Sequence, residues 1–282
     1  MNSSHVATRY LNFMLLALAC LSLLACLMGC SVGAHPSKSG SQAMVNVSDT
    51  NEIIGIIGAM EVEVNSLKTA AGADTVTTIA GMDFCEGTLG GKRVVIVKCG
   101  MGKVNAGICA HTLINAYSCT RIINTGVAGS LDSRVGIGDI VVSTDAVQHD
   151  FDVSAIGFKK GEIPYTGLSA FPADETLRSM AVRATKETRP DINVFEGRVC
   201  SGDQFISTKE QKDVITANYD GLCCEMEGAA VAQTCYLNKV PFVVIRAISD
   251  SPTETEIIDY KTFEPMAAKM CAEIVEHMMK SM

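Results

Sequence analysis

An apolar run of β-branched residues near position 245 ends in an acidic side chain. The run VVIRAI, residues 243–248, carries Arg246 and is followed by Ser249 and Asp250. Its Val and Ile residues do not alternate with polar ones, which predicts a strand buried on both faces. Burial favours the neutral form of a carboxyl group, and that form can donate a proton. An aspartate is also a common capping residue, so Asp250 needs partners elsewhere in the chain to count as catalytic.

Two carboxylates follow the first predicted strand. Glu61 and Glu63 stand at the start of a predicted helix, directly after the segment GAM at residues 58–60. Acidic residues are favoured in a first helical turn because of the helix dipole, so the pair also has a purely structural explanation. On a helix the two side chains point about 200° apart. One of them can therefore face a ligand crevice, and the spacing alone does not say which.

A glycine-containing segment, NTGVAGS at residues 124–130, begins in the third predicted strand. Glycines allow the backbone to approach a flat ligand closely, which makes Ala128 and Gly129 candidates for the wall of a binding site. The segment lacks the G-x-G-x-x-G spacing of a dinucleotide fingerprint, and the chain has no Walker loop. The segment thus indicates backbone close to a ligand and no dinucleotide site.

Two further segments carry candidate binding residues. SGDQFI, residues 201–206, follows a predicted strand, and EMEGAA, residues 225–230, opens a predicted helix. Phe205 could stack on a base, and Glu227 could accept hydrogen bonds from a diol, although both residue types are also common in cores and caps. Their presence in one chain with the carboxylates described above favours a shared site.

Strand-like and helix-like segments alternate along the chain. The predicted strands are 53–57, 93–99, 122–125, 139–143, 194–200 and 242–248, and the predicted helices are 103–116, 177–188, 227–237 and 262–279. This alternation predicts an α/β fold of three layers, in which helices cover both faces of a mixed, largely parallel sheet. Ligands of such sheets bind outside the carboxyl ends of the strands, where the candidate residues lie.

Composition excludes some classes of function. The formal net charge is −8 and no cluster of Lys or Arg occurs, which argues against binding to nucleic acid. No group of His or Cys residues has metal-ligand spacing, so no metal is predicted. The cysteines after residue 51 are odd in number and lie mostly in apolar runs, which favours buried thiols over disulfides. They are Cys85, Cys99, Cys109, Cys119, Cys200, Cys223, Cys224, Cys235 and Cys271.

The first 30 residues have the pattern of a secretory signal. An apolar stretch precedes a small residue and Cys30, as at the end of a bacterial lipoprotein signal. Cys26 fits that pattern too, but the apolar stretch ends at Cys30, which favours lipidation there. An uncleaved anchor helix is the alternative, and both predict a domain held at a membrane, in the periplasm or on the outer surface. Residues 31–51 are predicted to form a flexible tether to a single domain at 52–282.

Several long segments between residues 52 and 280 are similar to the 5′-methylthioadenosine/S-adenosylhomocysteine nucleosidase family, within the nucleoside phosphorylase and hydrolase superfamily. The segments are IIGAMEVEV, KCGMGKVNA, IINTGVAGS, VGIGDIVVS, HDFDVSAIGF, SGDQFI, CEMEGAA and VPFVVIRAISD. The resemblance implies a nucleoside phosphorylase-like fold and hydrolysis of the N-ribosidic bond of methylthioadenosine and S-adenosylhomocysteine, with 5′-deoxyadenosine as a further substrate. It also implies a homodimer and no cofactor.

The resemblance further implies roles for individual residues. Asp250 would protonate N7 of adenine, Glu63 would activate water, and Glu227 would bind the ribose hydroxyls. Arg246 would orient Glu227 and the water, and residues 156–164 of a neighbouring subunit would complete the pocket. The implied substrate-binding residues are Phe205, which stacks on the purine, Ile206, whose backbone reads its edge, Met226 at the ribose, Ser249 beside Asp250, and Met60, Met101, Tyr260 and Phe263 along the ribose and alkylthio end.

Two other interpretations remain open from the sequence. A phosphorolytic relative would need arginines at its anion site, whereas Glu61 and Glu63 follow the first strand and Val127 offers no hydroxyl, which favours water over phosphate. The second alternative is a surface lipoprotein that binds nucleosides or host ligands without turnover, which the signal and tether motivate. Every catalytic residue type is nevertheless in place, so an enzyme is the favoured prediction.

Overall fold

The computed structural model describes residues 52–250 and 256–282, and in the second range it describes side chains from residue 261 onwards. These residues all belong to one unit that spans Asp49–Met282. The predicted signal segment at 1–30, its lipidated Cys30 and the predicted tether at 31–51 lie outside the described residues.

Ten strands form one mixed sheet. They are β1 (Ile53–Gly58), β2 (Thr75–Ile79), β3 (Met82–Leu89), β4 (Lys92–Lys98), β5 (Arg121–Ser130), β6 (Ile140–Gln148), β7 (Ala170–Pro172), β8 (Val194–Ser201), β9 (Cys223–Glu225) and β10 (Phe242–Asp250). Their order in the sheet is β10-β6-β8-β9-β5-β1-β4-β3-β2, with β7 beside β6. Because β10 also pairs with β5, the sheet curls back on itself.

Three of the strands that carry candidate residues, β1, β5 and β10, run in the same direction. β1 lies parallel to β4 and β5, and β10 lies parallel to β5. β8 lies parallel to β6 and β9. The antiparallel pairs are β10 with β6, β5 with β9, β3 with β2, and β3 with β4. The carboxyl ends of β1, β5 and β10 therefore meet at one edge of the sheet, as the prediction of a site at strand ends requires.

Helices cover both faces of the sheet. They are α1 (Glu61–Ala70), α2 (Lys103–Ala116), α3 (Glu175–Thr188), α4 (Lys209–Tyr219), α5 (Gly228–Asn238) and α6 (Glu256–Ser281), with a short 3₁₀ turn at Ser154–Ile156. One buried cluster includes Leu113 of α2 and Val231 of α5. A second includes Leu67 of α1, Ala181 of α3 and Ile274 of α6. The predicted three-layer α/β/α fold with a mixed sheet is confirmed.

Four strands and one helix were absent from the sequence-based prediction, namely β2, β3, β7, β9 and α4. β2 is almost wholly exposed, so it has no apolar face to reveal it, and it joins β3 through a tight turn in which Ala80 and Gly81 both have positive φ. β7 and β9 are only three residues long. α4 does carry a start signal, because Thr208 and Gln211 form a capping box.

The nine cysteines between β3 and α6 are free and buried, which confirms the prediction of buried thiols for this part of the chain. Burial raises the pKa of the Cys119 thiol to about 12. Among the helices that the structure describes, none combines the length and apolar character needed to cross a bilayer.

Candidate active site

A pocket opens at the carboxyl ends of β1, β5 and β10. The pocket is open to solvent and lies where ligands of such sheets bind. Its lining comes from six stretches of the chain and includes most of the predicted site. The lining residues are Ala59, Met60, Glu63, Met101, Val127, Ala128, Gly129, Gln204, Phe205, Ile206, Cys224, Glu225, Met226, Glu227, Ser249 and Asp250.

Glu63 is the member of the Glu61/Glu63 pair that faces the pocket. Its residue surface is 3% exposed, whereas the side chain of Glu61 is 51% exposed and forms ion pairs at the surface. The Glu63 carboxylate accepts backbone hydrogen bonds from Ala59 (2.6 Å), Met60 (2.9 Å) and Val127 (3.1 Å). Burial raises the pKa of Glu63 and outweighs the opposing effects of the Arg246 charge and the three backbone donors. A carboxylate of raised pKa is a better proton acceptor, as the activation of water requires.

Asp250 lies at the end of β10, and its carboxylate is held at both oxygens. Ser249 Oγ donates to Oδ1 at 2.9 Å, and Lys212 Nζ of α4 donates to Oδ2 at 3.0 Å. The Asp250 and Lys212 side chains are 4% and 2% exposed, so this is a buried ion pair. The carboxyl group therefore has a fixed direction at the pocket wall.

Two glycines of β5 make room for the two carboxyl groups. A Cβ atom on Gly126 would overlap the carboxylate of Glu63, and a Cβ atom on Gly129 would overlap that of Asp250. The segment was expected to bring backbone close to a ligand, and Ala128 and Gly129 do line the pocket. The structure adds a second reason for the glycines, which is the close approach of the acidic side chains.

Both carboxyl groups lie against β5. Glu63 contacts its backbone at Gly126 and Val127, and Asp250 contacts it at Gly129. The two groups thus meet the strand at separate points, and both residues line the same pocket.

A buried network surrounds Glu225, which the sequence-based site did not include. Arg246 Nη2 donates to Glu225 Oε2 at 2.5 Å and to Asn124 Oδ1 at 2.6 Å. Ser201 Oγ and the backbone N–H groups of Glu227 and Gly228 also donate to Glu225. The sequence predicts that Arg246 helps to orient Glu227. Arg246 bonds to Glu225, two residues earlier, and Glu225 in turn accepts the backbone N–H of Glu227. The link between Arg246 and Glu227 is therefore indirect.

Glu227 occupies the pocket side of the same turn. Its Oε1 accepts the backbone N–H of Gly102 at 2.8 Å, and the residue is 6% exposed. Burial and the nearby negative charge of Glu225 raise the pKa of Glu227 to about 8. Burial by itself would raise the pKa of Glu225 too, but the Arg246 charge and the hydrogen bond from Ser201 lower it. In the ligand-free protein at neutral pH, Glu225 carries the charge and Glu227 holds a proton.

The raised pKa of Glu227 predicts how stability depends on pH. The unfolded chain loses this proton near the ordinary value of 4.5, and the folded chain loses it near 8, so stability falls as pH rises through that window. Glu227→Gln should flatten the fall between pH 5 and 8.5 by an amount on the order of a few kcal/mol, since one pKa unit corresponds to about 1.4 kcal/mol. Urea denaturation at both pH values tests this. Glu61→Gln at the surface is the control, and an unchanged slope in Glu227→Gln would contradict the assignment.

The remaining predicted residues divide into three groups. Eight line the pocket as predicted, namely Met60, Met101, Ala128, Gly129, Phe205, Ile206, Met226 and Ser249. Phe263 is partly buried on α6 and is not among the described residues that line the pocket, so its role stays a prediction. Tyr260 forms the third group, because its side chain lies outside the described residues. Residues 251–255, between β10 and α6, also lie outside them.

Two side chains at the site had no place in the predicted set. Glu225 was visible only as the first letter of the EME segment, and Lys212 lies in a helix that the sequence-based prediction lacked. The capping box at Thr208 and Gln211 would have indicated that helix, but no local signal pairs Lys212 with Asp250, which is 38 residues away. Within residues 52–250 and 261–282, no group of three or more His, Cys, Asp or Glu side chains could hold a metal ion.

Comparisons with known proteins agree with one another. The sequence profile of the phosphorylase superfamily matches residues 53–280. A 5′-methylthioadenosine/S-adenosylhomocysteine nucleosidase of Psychromonas ingrahamii is 38% identical over 230 residues, which cover 81% of this chain and 99% of the relative. The crystal structure of the nucleosidase of that name from Neisseria meningitidis, in complex with methylthio-immucillin-A, has a TM-score of 0.78 and 35% identity, and the match covers 82% of this chain and all of the other.

A second solved structure adds a different ligand. The nucleosidase of the same name from Colwellia psychrerythraea, in complex with adenine, has a TM-score of 0.77 and 36% identity. The match covers 81% of this chain and 94% of the other. Between 94% and all of the length of these relatives thus corresponds to about four fifths of the present chain.

Proposed function

Since the chain belongs to the 5′-methylthioadenosine/S-adenosylhomocysteine nucleosidase family of the phosphorylase superfamily, we propose that it hydrolyses the N-ribosidic bond of both nucleosides. The products are adenine and the 5-thio-substituted ribose, and 5′-deoxyadenosine is a further substrate. The observation that carries the proposal is the presence of Glu63 and Asp250 in one pocket, where each carboxyl group lies against a different glycine of β5.

The reaction uses the two carboxyl groups at opposite sides of the bond. With substrate bound, Asp250 acts in its protonated form and gives that proton to N7 of adenine. The electrons of the C1′–N9 bond pass into the base, which leaves an oxocarbenium-like ribose. Water then bonds to C1′ from the other face and loses a proton to Glu63. The proton that Glu63 gains equals the one that Asp250 gives up, so the enzyme ends with its total proton count unchanged.

Other side chains of the pocket bind the substrate. Phe205 stacks on the purine and the backbone of Ile206 reads its edge, while Met60 and Met101 contact the thio-substituted end. Glu227 and Met226 bind the ribose hydroxyls. Arg246 acts indirectly, because it holds Glu225, and Glu225 accepts the backbone N–H groups at the start of α5 that fix the position of Glu227.

Water is the favoured nucleophile over phosphate. Glu63 and Asp250 lie in the pocket wall, and the guanidinium of Arg246 is already paired with Glu225. A phosphate ion in the pocket would meet this negative charge, and the described pocket residues offer it no free arginine. Like charges close together in a buried site repel strongly.

The test of the function is adenine release from methylthioadenosine by purified residues 52–282, with and without added phosphate. We expect equal rates in both buffers. A rate that required phosphate would indicate a phosphorylase. Tight adenine binding without any release from methylthioadenosine, S-adenosylhomocysteine or 5′-deoxyadenosine would indicate the non-catalytic binder.

A homodimer completes the pocket in this proposal. Apolar side chains that a monomer would leave in water lie near the pocket mouth and on the segment 156–164, with Ile156 73% exposed and Met101 61% exposed. Ile156 of one subunit would close the thio-substituent end of the other. Sedimentation should give a dimer, and a monomer with full activity would contradict this arrangement.

Export as a lipoprotein is a further part of the proposal. The family profile begins at residue 53, so the segment 1–30 and the tether 31–51 precede the conserved domain. Lipidation of Cys30 would hold the domain at a membrane, in the periplasm or on the outer surface. Labelling with radioactive palmitate should be lost in Cys30→Ala and kept in Cys26→Ala, and the reverse result would identify Cys26 as the modified residue.

A further inference from the structure

A lysine of α4 is buried against the proposed general acid. Lys212 is 2% exposed, and its Nζ lies 3.0 Å from Oδ2 of Asp250. One turn earlier on the same helix, Lys209 pairs with Asp213 at the surface, where both side chains are more than half exposed. Burial of a charged group is unfavourable unless the group is paired, so the position of Lys212 depends on its carboxylate partner.

The contacts of Asp250 leave its carboxyl group little freedom. Lys212 holds Oδ2, Ser249 holds Oδ1, and the backbone of Gly129 lies too close behind the group to accept even a methyl substituent. A rotation of the carboxyl group would break one of the two hydrogen bonds. The direction in which Asp250 meets a ligand is therefore set from α4 as well as from β10.

We propose that Lys212 is a positioning residue for the proton transfer from Asp250 to the leaving base, a role that rests on the function proposed above. Lys212 orients the carboxyl group and stabilises the carboxylate that forms when the proton moves from Asp250 to N7 of adenine. The ammonium group keeps its own protons throughout. The bond that breaks is C1′–N9, and its electron pair enters the purine.

Substrates with different leaving groups distinguish a positioning role of Lys212 from a purely structural ion pair. A pair that only supports the fold would affect every substrate alike. A lysine that acts through Asp250 affects only substrates whose leaving group needs a proton. A 4-nitrophenyl 5-methylthio-ribofuranoside provides the comparison, because 4-nitrophenolate leaves without protonation, whereas adenine does not.

The experiment compares kcat for methylthioadenosine and for the nitrophenyl riboside in Lys212→Met, Lys212→Arg and Lys209→Met. Loss of one preorganised charge contact typically lowers kcat about 10²- to 10³-fold. We expect a loss of about 10²-fold with methylthioadenosine and less than about fivefold with the nitrophenyl riboside in Lys212→Met. Lys212→Arg keeps the charge and should restore most of the activity, and Lys209→Met on the exposed face of α4 should change neither rate.

A double variant provides a second measurement. Lys212→Met combined with Asp250→Asn should turn over methylthioadenosine no more slowly than Asp250→Asn alone, because the lysine acts through the aspartate. Lys212→Gln gives the same comparisons with a neutral donor if the methionine variant does not fold.

Equal losses on both substrates, no loss with methylthioadenosine, or a further loss in the double variant would each overturn the role of Lys212. If the wild-type protein releases adenine, such results with the variants leave the proposed function intact. A wild type that releases no adenine overturns both proposals.

Discussion

Asp250→Asn is expected to lower kcat for adenine release by about 10²–10⁴-fold, the usual contribution of one general acid. The amide has the size of the carboxyl group and can still accept the hydrogen bond from Ser249, so the protein should fold. It has no acidic proton to give, and the purine must then leave as an unprotonated anion.

The measurement is kcat and KM for methylthioadenosine, with thermal denaturation to establish that the variant is folded. Asp213→Asn is the matched control, because Asp213 lies on the exposed face of α4 in an ion pair with Lys209. Activity with the nitrophenyl riboside should survive in Asp250→Asn. Wild-type turnover of methylthioadenosine by a folded Asp250→Asn would remove the residue from its role as acid.

Glu63→Gln is expected to abolish turnover to a similar degree, because the amide cannot take a proton from water. Unlike the loss of Asp250, this loss should appear with both substrates, since each needs a water nucleophile. The two variants thus separate the two halves of the reaction. Leaving-group chemistry depends on Asp250, and nucleophile chemistry depends on Glu63.

Glu61→Gln is the matched control for this second prediction. Both residues lie in the first turn of α1, and only Glu63 is buried. The glutamine variant also places an NH₂ group near the backbone donors of Ala59, Met60 and Val127, which should reduce stability by about 1–3 kcal/mol. Equal activities for Glu63→Gln and Glu61→Gln would show that the buried carboxylate does not activate water.

The two predictions share a physical basis in the shape of β5. Its backbone lacks Cβ atoms at the two places where the carboxylates approach it, so both acidic groups can lie in the wall of one narrow pocket. Gly126 thereby makes room for the base, and Gly129 makes room for the acid. Side chains at either position would displace one of the reacting groups.

Much of the architecture follows from the sequence itself. Periodic apolar residues predict α2 with the bounds that the structure has, Lys103–Ala116, and the β-branched run predicts β10 and the position of Asp250 at its end. These features depend on interactions between residues close in sequence, and hydrophobic periodicity records such interactions directly. The specific motifs likewise indicate the family and the set of polar groups.

The tertiary structure decided which groups work together. The helical spacing allowed either Glu61 or Glu63 to face the pocket, and only the packing of α1 against β5 buries Glu63. Arg246 forms its hydrogen bond with Glu225 and not with Glu227. Lys212 bonds to Asp250, which is 38 residues away in the sequence. Contacts between distant parts of the chain depend on how helices and strands pack, and the pattern of residues within any one of them carries no record of its partner. The chemical groups of the site can thus be predicted from the sequence, whereas their pairings and charge states depend on the tertiary structure.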